Sequence, residues 1–568
     1  MEFLREGLFL MNKFVLFFLI LIFIFSTFLR FYDLDKSGIF AFDEGIYFSL
    51  VKTMRLPLDY FLEKAKGDIF DMGFSEYIQK KGAYHFMAGK PTYILSAFLV
   101  SLLTGLKDYT LPFTSALFGT LTVILVFFIA KGLKGVAAGL ISAFILAVSW
   151  FHVTYSRSAF PHITGTFFAY LAIYIYYLLM RKEGESGSTK LIFLYGFALG
   201  LAITCHYTLY WIVAIFGVNE AFYLLKGFSR KSKISSRRFF IWAIAVILPV
   251  VFWQLATFII WSFLYSKPAY ISMVKGASGT GSFSTYFNQL STALFSANRQ
   301  TGYEGNIWFY VKIIAMKEGI LFLLVFLAGL AGGFMSLLKR WRGGASLQFI
   351  IMLYFLFPFV LFGTYSHFPT TRTFCIALPA MAIIASTPIV WFLKKRFMFF
   401  ALILLLFLTA GQLVNTLPVL YYRSGFKKAM RYMESHKGIK HLSSNVYVSR
   451  AYVDRDKAVD MSFSFRQKEY DPTGKLHVSL DSLKEFVGRN DFRYLLLDQY
   501  RFSYPNEIFA AASQVKPVFA VKHATVSFLY DSKKEYQEQI LGYPRLIEVY
   551  DIEDILKKMD ENEKEKDA

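Results

Sequence analysis

Apolar runs of membrane-spanning length recur along the whole chain. They fall at Phe14–Leu29, Leu111–Ala130, Val136–Phe151, Ile163–Met180, Leu191–Cys205, Leu209–Leu225, Phe239–Leu264, Ile320–Leu338, Leu347–Phe362, Phe374–Phe392 and Phe397–Leu417. In hydrocarbon a backbone amide has no partner outside its own chain, so each such run is driven to be a helix. The sequence therefore predicts a polytopic α-helical membrane protein of about eleven spans. Its 55% hydrophobic content, with 64 Phe and 36 Tyr, suits lipid-facing and interfacial positions and is foreign to a soluble domain.

The net charge of +21 does not indicate nucleic acid. Much of the excess sits in short loops between apolar runs, at Lys131/Lys134, Arg181/Lys182, Lys226 to Arg238, Lys339/Arg340/Arg342 and Lys394/Lys395/Arg396. That is the charge bias of cytoplasmic loops. A further apolar stretch, Tyr93 to Leu106, is short for a span and reads as re-entrant or interfacial. With that reading all the basic loops share the cytoplasmic face with the N-terminus. All nine histidines then fall on the outer face, together with Asp43, Glu44, Lys90, Arg157 and Arg372. The expected setting is the cell membrane, with the C-terminal domain outside. Arg5 and Lys13 precede the first run and no small-residue cleavage site follows it, which predicts an uncleaved signal anchor.

Three regions follow. Residues 11–417 form a membrane domain with a large first outer loop, 30–110; residues 418–555 form an extracytoplasmic α/β domain; residues 556–568 form a charged, disordered tail. In the first loop, Ile46, Leu50, Met54, Leu58, Phe61 and Leu62 recur at helical spacing and predict a helix along the membrane surface. Residues 276–282 are Gly/Ser-rich and read as mobile, and Ile307–Lys317 reads as interfacial. Beyond Pro418, Asn445–Ser449, Tyr494–Leu497, Val518–Val521 and Thr525–Tyr530 read as strands, and Lys427–Ser435 and Ser482–Val487 as helices. The cysteines, Cys205 and Cys375, define no disulfide framework.

The chemistry concentrates on the outer face. Asp43-Glu44 follows closely on the first span. A carboxylate there can take a proton from an acceptor, with its neighbour positioning it; equally, both residues suit the first turn of a helix. Lys90, Arg157 and Arg372 are cations able to hold a phosphate at the membrane surface, or to pair with headgroups. Tyr47, Tyr93, His162 and His367 are candidate substrate-binding residues. Histidines 85, 162, 206 and 367 could bind a divalent metal but have no metal-ligand spacing, so a metal stays open without support from spacing and no cofactor is certain.

The order of these elements resembles the GT-C integral-membrane glycosyltransferases of the protein O-mannosyltransferase and lipid A aminoarabinose transferase type (glycosyltransferase family 39-like). The resemblance rests on the Asp43-Glu44 pair with Tyr47 after it, Lys90-Pro91, Tyr155-Ser156-Arg157, and the late Arg372 and Leu378-Pro379. It implies inverting transfer of a sugar from a polyprenyl- or dolichyl-phosphate donor to an extracytoplasmic acceptor: a protein, a lipid or an envelope glycan. Asp43 would match the base, and Lys90 and Arg372 the cations at the donor phosphate. Gly89 and His162 depart from the residues many relatives carry, so acceptor identity does not transfer. The competing reading is a transporter or flippase of lipid-linked glycans, which would need ionisable groups near mid-membrane.

Overall fold

The computed structural model describes residues 13–68, 72–74, 76–77, 90–181, 188–229, 233–264, 308–340, 347–361, 371–436, 438–454, 457–460, 469–470, 476–477, 480–498, 506–523 and 545–567. The Gly/Ser-rich stretch, His85, His367 and the expected strand Thr525–Tyr530 lie outside these residues.

Every one of the eleven apolar runs contains a helix, but not every helix has full spanning length. Among the described residues seven do: Lys13–Lys36, Thr110–Lys134, His162–Arg181, Ser236–Trp253, Ile320–Leu337, Thr371–Lys394 and Met398–Ser435. The run expected as a single span at Val136–Phe151 is instead two helices, Val136–Val148 and Trp150–Ser156, bent by 61°. Ser149 makes the break: its hydroxyl accepts from His152 N and donates to the Glu318 carboxylate, which also accepts from Phe151 N at 2.9 Å. These partners satisfy donors that a bend exposes at the new helix N-terminus. Thr189–Cys205, Tyr210–Leu225 and Leu347–Val360 are shorter apolar helices, as is Pro91–Thr104, the segment expected not to cross.

One face of the bundle carries everything else. There the Phe42–Lys66 helix lies where the spacing of Ile46 to Leu62 predicts one. Its buried side includes Tyr47, Phe48, Leu50 and Val51, whereas Phe61 is 67% exposed. Above it sits a five-stranded sheet in the order β2-β1-β5-β7-β6. The strands are β1 (His441–Ser443), β2 (Ala458–Asp460), β5 (Tyr494–Asp498), β6 (Phe519–His523) and β7 (Arg545–Asp551); β3 (Glu469–Tyr470) and β4 (Leu476–His477) form a separate pair. β1 runs parallel to β2 and β5, and β7 is antiparallel to both β5 and β6. Every residue of β5 is buried. The strand period of two sends Tyr494 and Leu496 to the core shared with the membrane domain, and Leu495 and Leu497 to a second core under the helices Leu480–Asn490, Asn506–Ala512 and Ile552–Asp567.

Two expectations for this domain fail. Asn445–Ser449 is no strand: Val446–Ser449 is a helical turn that packs against the Phe42–Lys66 helix. The charged tail expected to be disordered is helical through Asp567, because Ile552, Ile555 and Met559 share one face and bury it in the second core. Pairs such as Lys564–Asp560, four residues apart, dress its exposed side.

The domain is clamped to the first outer loop at a strap, residues 37–45. Ser424 donates its backbone N–H to Ser37 O at 2.7 Å and its hydroxyl to Ile39 O, and the Tyr452 hydroxyl accepts from Ile39 N. Gly38 has φ +81°, a left-handed turn that side chains resist, and it lets the strap pass under Tyr452. At Gly45 an added Cβ would lie 2.5 Å from the Tyr447 carbonyl carbon and 2.6 Å from Val448 N. Gly45→Ala should therefore cost about 1–3 kcal/mol through overpacking, despite alanine's better helix propensity. The check is the thermal unfolding midpoint in detergent, expected to fall; an unchanged midpoint would show that the contact is not tight.

Candidate active site

The strap delivers Asp43 and Glu44 to the first turn of the Phe42–Lys66 helix. Their fates diverge there. Glu44 is fully buried and points back as a clasp: one carboxylate oxygen accepts from Phe40 N (2.7 Å) and Ala41 N (3.0 Å), the other from Ala159 N (2.7 Å). Of the two sequence readings, helix capping is the one realised, extended by a tie to the 157–161 loop of the membrane domain. Burial pushes the Glu44 carboxyl up to about 7, against the pull of its three backbone donors.

Asp43 points the other way and is a third exposed, at 34%. Its carboxylate pairs with the Arg372 guanidinium at 2.5 Å. That guanidinium also lies over the Phe160 ring, 5.0 Å from its centroid, within cation–π range. Arg372 sits on a 3-10 turn, Thr371–Ala377, held by a Tyr155–Thr371 hydroxyl contact and by the Tyr170 hydroxyl donating to Ile376 O at 3.0 Å. The Asp43–Arg372 pair thus joins two segments 329 residues apart in sequence.

Lys90 is buried at the start of the Pro91–Thr104 helix. Burial lowers its ammonium to about 8; Asp43 opposes that shift and Arg372 adds to it, so the three groups share one field. Its helix is fixed by Thr92–Thr204 hydroxyls at 2.6 Å and by Tyr93, which meets Tyr47 edge-on at 6.0 Å between ring centroids. The charges of Lys90 and Arg372 also reach His162 and His206, whose rings pack 4.2 Å apart. Both rings are buried, and neither His162 nitrogen has a hydrogen-bond partner among the described residues.

Asp43, Lys90, Arg372 and His162 therefore come together, with Tyr47 and Tyr93 as a wall. Arg157 stands apart. It is buried, and its guanidinium donates to the carbonyls of Arg30 (3.1 Å) and Tyr32 (2.9 Å) and to Leu420 O at 3.2 Å. The charge expected at a phosphate instead ties the end of the first span to the chain entering the C-terminal domain. Arg30 does a similar job, donating to Ala147 O and Leu146 O at the end of the Val136–Val148 helix. In the sequence His206 figures only among the histidines tested for metal-ligand spacing; its one signal for this group is its position beside an apolar run on the histidine-bearing face.

Among the described residues no three His, Cys, Asp or Glu side chains converge. Lys90 and Arg372 put positive charge beside Asp43.

Comparison with known proteins bears on the fold. Residues 91–261 match the family model described as dolichyl-phosphate-mannose-protein mannosyltransferase. No curated protein matches the chain in sequence. Among solved structures, the chain is similar to the archaeal oligosaccharyltransferase AglB from Archaeoglobus fulgidus, in complex with an inhibitory peptide and a dolichol-phosphate. That match has 11% identity, covers 86% of this chain and 69% of AglB, and has a TM-score of 0.54. ArnT from Cupriavidus metallidurans, bound to undecaprenyl phosphate, matches over 92% of this chain and 98% of its own, with 12% identity and a TM-score of 0.53. The chain has the GT-C fold. The GT-C resemblance read from Asp43-Glu44 and Lys90-Pro91 is thus matched by the architecture. The family-model match opens at Pro91 and takes in His162 and His206, but not Asp43 or Arg372.

Glu44→Gln puts an amide N–H against backbone donors, which should cost about 1–3 kcal/mol. A pH series adds a sign. The folded value of about 7 lies above the ordinary 4.5, so the folded state gains stability as pH falls from about 7 towards 4.5 and carries the burial cost above it. The stability difference between wild type and Glu44→Gln should therefore grow from pH 8 to pH 5. A difference flat across that range would contradict a titrating buried clasp.

Proposed function

We propose that this protein transfers a sugar from a polyprenyl-phosphate-type donor to an acceptor on the non-cytoplasmic side of the cell membrane, with Asp43 as the base. One observation supports this most: a part-exposed carboxylate, Asp43, paired with Arg372 at the edge of a buried polar group in which Lys90 is the cation and His162 and His206 are its neighbours. A lipid-phosphate donor leaves its phosphate behind as an anion, and fixed positive charge favours that departure. The carboxylate is placed to accept the acceptor's proton as the new bond forms on the opposite face of the sugar, so the reaction inverts. Before the donor arrives, Arg372 neutralises Asp43. The donor phosphate would draw the guanidinium towards itself and free the carboxylate for the acceptor. The polar nitrogens of His162 face the same group and suit a sugar hydroxyl or a phosphate oxygen.

The orientation follows from charge. Lys131, Lys134, Arg181 and Lys394 lie at or near helix ends remote from Asp43, and by the positive-inside bias that end is cytoplasmic. A transporter would need ionisable groups near mid-membrane; Glu220, a carboxylate within an apolar run, is paired with the Arg238 guanidinium through contacts of 2.7 and 2.9 Å and accepts from the Tyr195 hydroxyl.

The test is transfer by the purified full-length protein, given a panel of polyprenyl-phosphate sugars and membrane extract as acceptor. Asp43→Asn should lose about 10²–10⁴-fold of the rate with an unchanged unfolding midpoint. Full activity in that variant would remove Asp43 from the base role. Lys90 adds a pH signature. Because burial lowers it to about 8, kcat/KM should fall as pH rises through that value. Lys90→Arg, charged throughout the range, should move this falling limb upward even if the rate drops. A limb that stays in place would assign it to another group.

A further inference from the structure

A second concavity, of about 760 Å³, opens between the first outer loop and the C-terminal domain. It shares none of its lining with Asp43, Lys90, Arg372, His162 or His206. Six cations line it: Lys36, Lys107, Arg423, Lys427, Lys428 and Arg431. Two carboxylates, Asp35 and Asp108, line it as well, and some of the positive charge is answered nearby. Lys36 and Arg423 share Asp33, and Lys427 pairs with Asp108 at 2.7 Å. Lys107, Lys428 and Arg431 have no carboxylate partner among the described residues. The cleft is thus a cavity with positive charge in excess, which favours an anion.

Its depth narrows the choice of anion. Lys36 ends the first apolar helix, Lys107 lies just before the Thr110–Lys134 span, and Arg423 follows the helix Met398–Thr416 and the turn Leu417–Tyr421. Three spans therefore deliver their cations to one level, the membrane boundary. The neighbouring Leu103 is 89% exposed and Leu99 52%, an apolar surface suited to acyl chains. Tyr421, 64% exposed, and Tyr109 stand at the same boundary, where aromatic residues sit among headgroups. Lys428 and Arg431 come down from the Gly425–Ser435 helix of the C-terminal domain and close the cleft from above.

We propose that this cleft binds the phosphate headgroup of an anionic membrane lipid in the leaflet bearing the C-terminal domain. The bound headgroup bridges cations of the membrane domain and the C-terminal domain. Tyr452, in the cleft wall, hydrogen-bonds Ile39 of the strap, so the lipid braces the segment that carries Asp43. The site is separate from the donor seat and does not depend on that seat being correctly assigned.

Native mass spectrometry of the full-length protein in detergent tests it. The probes are dioctanoyl-phosphatidylglycerol, dioctanoyl-phosphatidylcholine and inorganic phosphate. Phosphatidylglycerol should bind at least about ten-fold more tightly than either other probe. The double variant Lys428→Glu/Arg431→Glu, at two exposed positions, should lose about ten-fold or more of that affinity, whereas Lys90→Met should keep it. Equal binding of the two lipids would overturn the proposal, as would undiminished phosphatidylglycerol binding by the double variant. Inorganic phosphate binding as tightly as the lipid would replace a headgroup site with a free-anion site. Loss in Lys90→Met alone would show that the lipid enters the donor seat instead.

Discussion

The arrangement of this site depends on one buried carboxylate. Glu44 gathers three backbone N–H groups, two from the strap before its own helix and one from Ala159 in the membrane domain. Taking a carboxylate out of water is costly, and these donors are what make it tolerable. In return the first turn of the Phe42–Lys66 helix is locked against the loop holding Phe160. Asp43 is the preceding residue, so fixing Glu44 also fixes the direction in which Asp43 points, towards Arg372 on a segment far along the chain. One residue of the pair is buried as a clasp and its neighbour stays part-exposed beside Arg372.

The C-terminal domain completes this lock from the other side. His523 accepts from Gly425 N through Nδ1, which leaves Nε2 to donate to Phe40 O at 3.0 Å. Tyr452, Ser424 and the Tyr447 turn bear on the same strap. The domain's contacts here are to the segment that positions the carboxylates, which gives it a structural part in the site whatever else it binds. The buried arginines follow a similar logic. Arg30 spends its donors on carbonyls at the end of the Val136–Val148 helix, just before the bend at Ser149, and Arg157 on carbonyls at the end of the first span and at Leu420.

Much of this was legible in the sequence. The apolar runs announced the helices, and the short Pro91–Thr104 segment stood out by its length. Asp43-Glu44 was visible as a pair, and the capping reading offered for it is the one Glu44 takes. Arg157 was misread because its partners are carbonyl oxygens, which no side-chain pattern reports. The run Val136–Phe151 looked continuous because hydropathy does not register a serine that breaks a helix. Asn445–Ser449 looked like a strand because Val and Tyr favour one, yet tight packing against Gly45 made it a helical turn. The charged tail hid Met559, which continues the helical spacing of Ile552 and Ile555 just before it. His206 became meaningful only once folding set it against His162.

The central claim is that Lys90 and Arg372 form the seat of a lipid-linked phosphate beside Asp43. The most direct test is an experimental structure of the full-length protein with a polyprenyl phosphate bound. The account predicts phosphate oxygens within about 3 Å of Lys90 Nζ and of the Arg372 guanidinium, with the Asp43 carboxylate left open to an acceptor. A phosphate bound away from both cations, with the Asp43–Arg372 pair undisturbed, would contradict it.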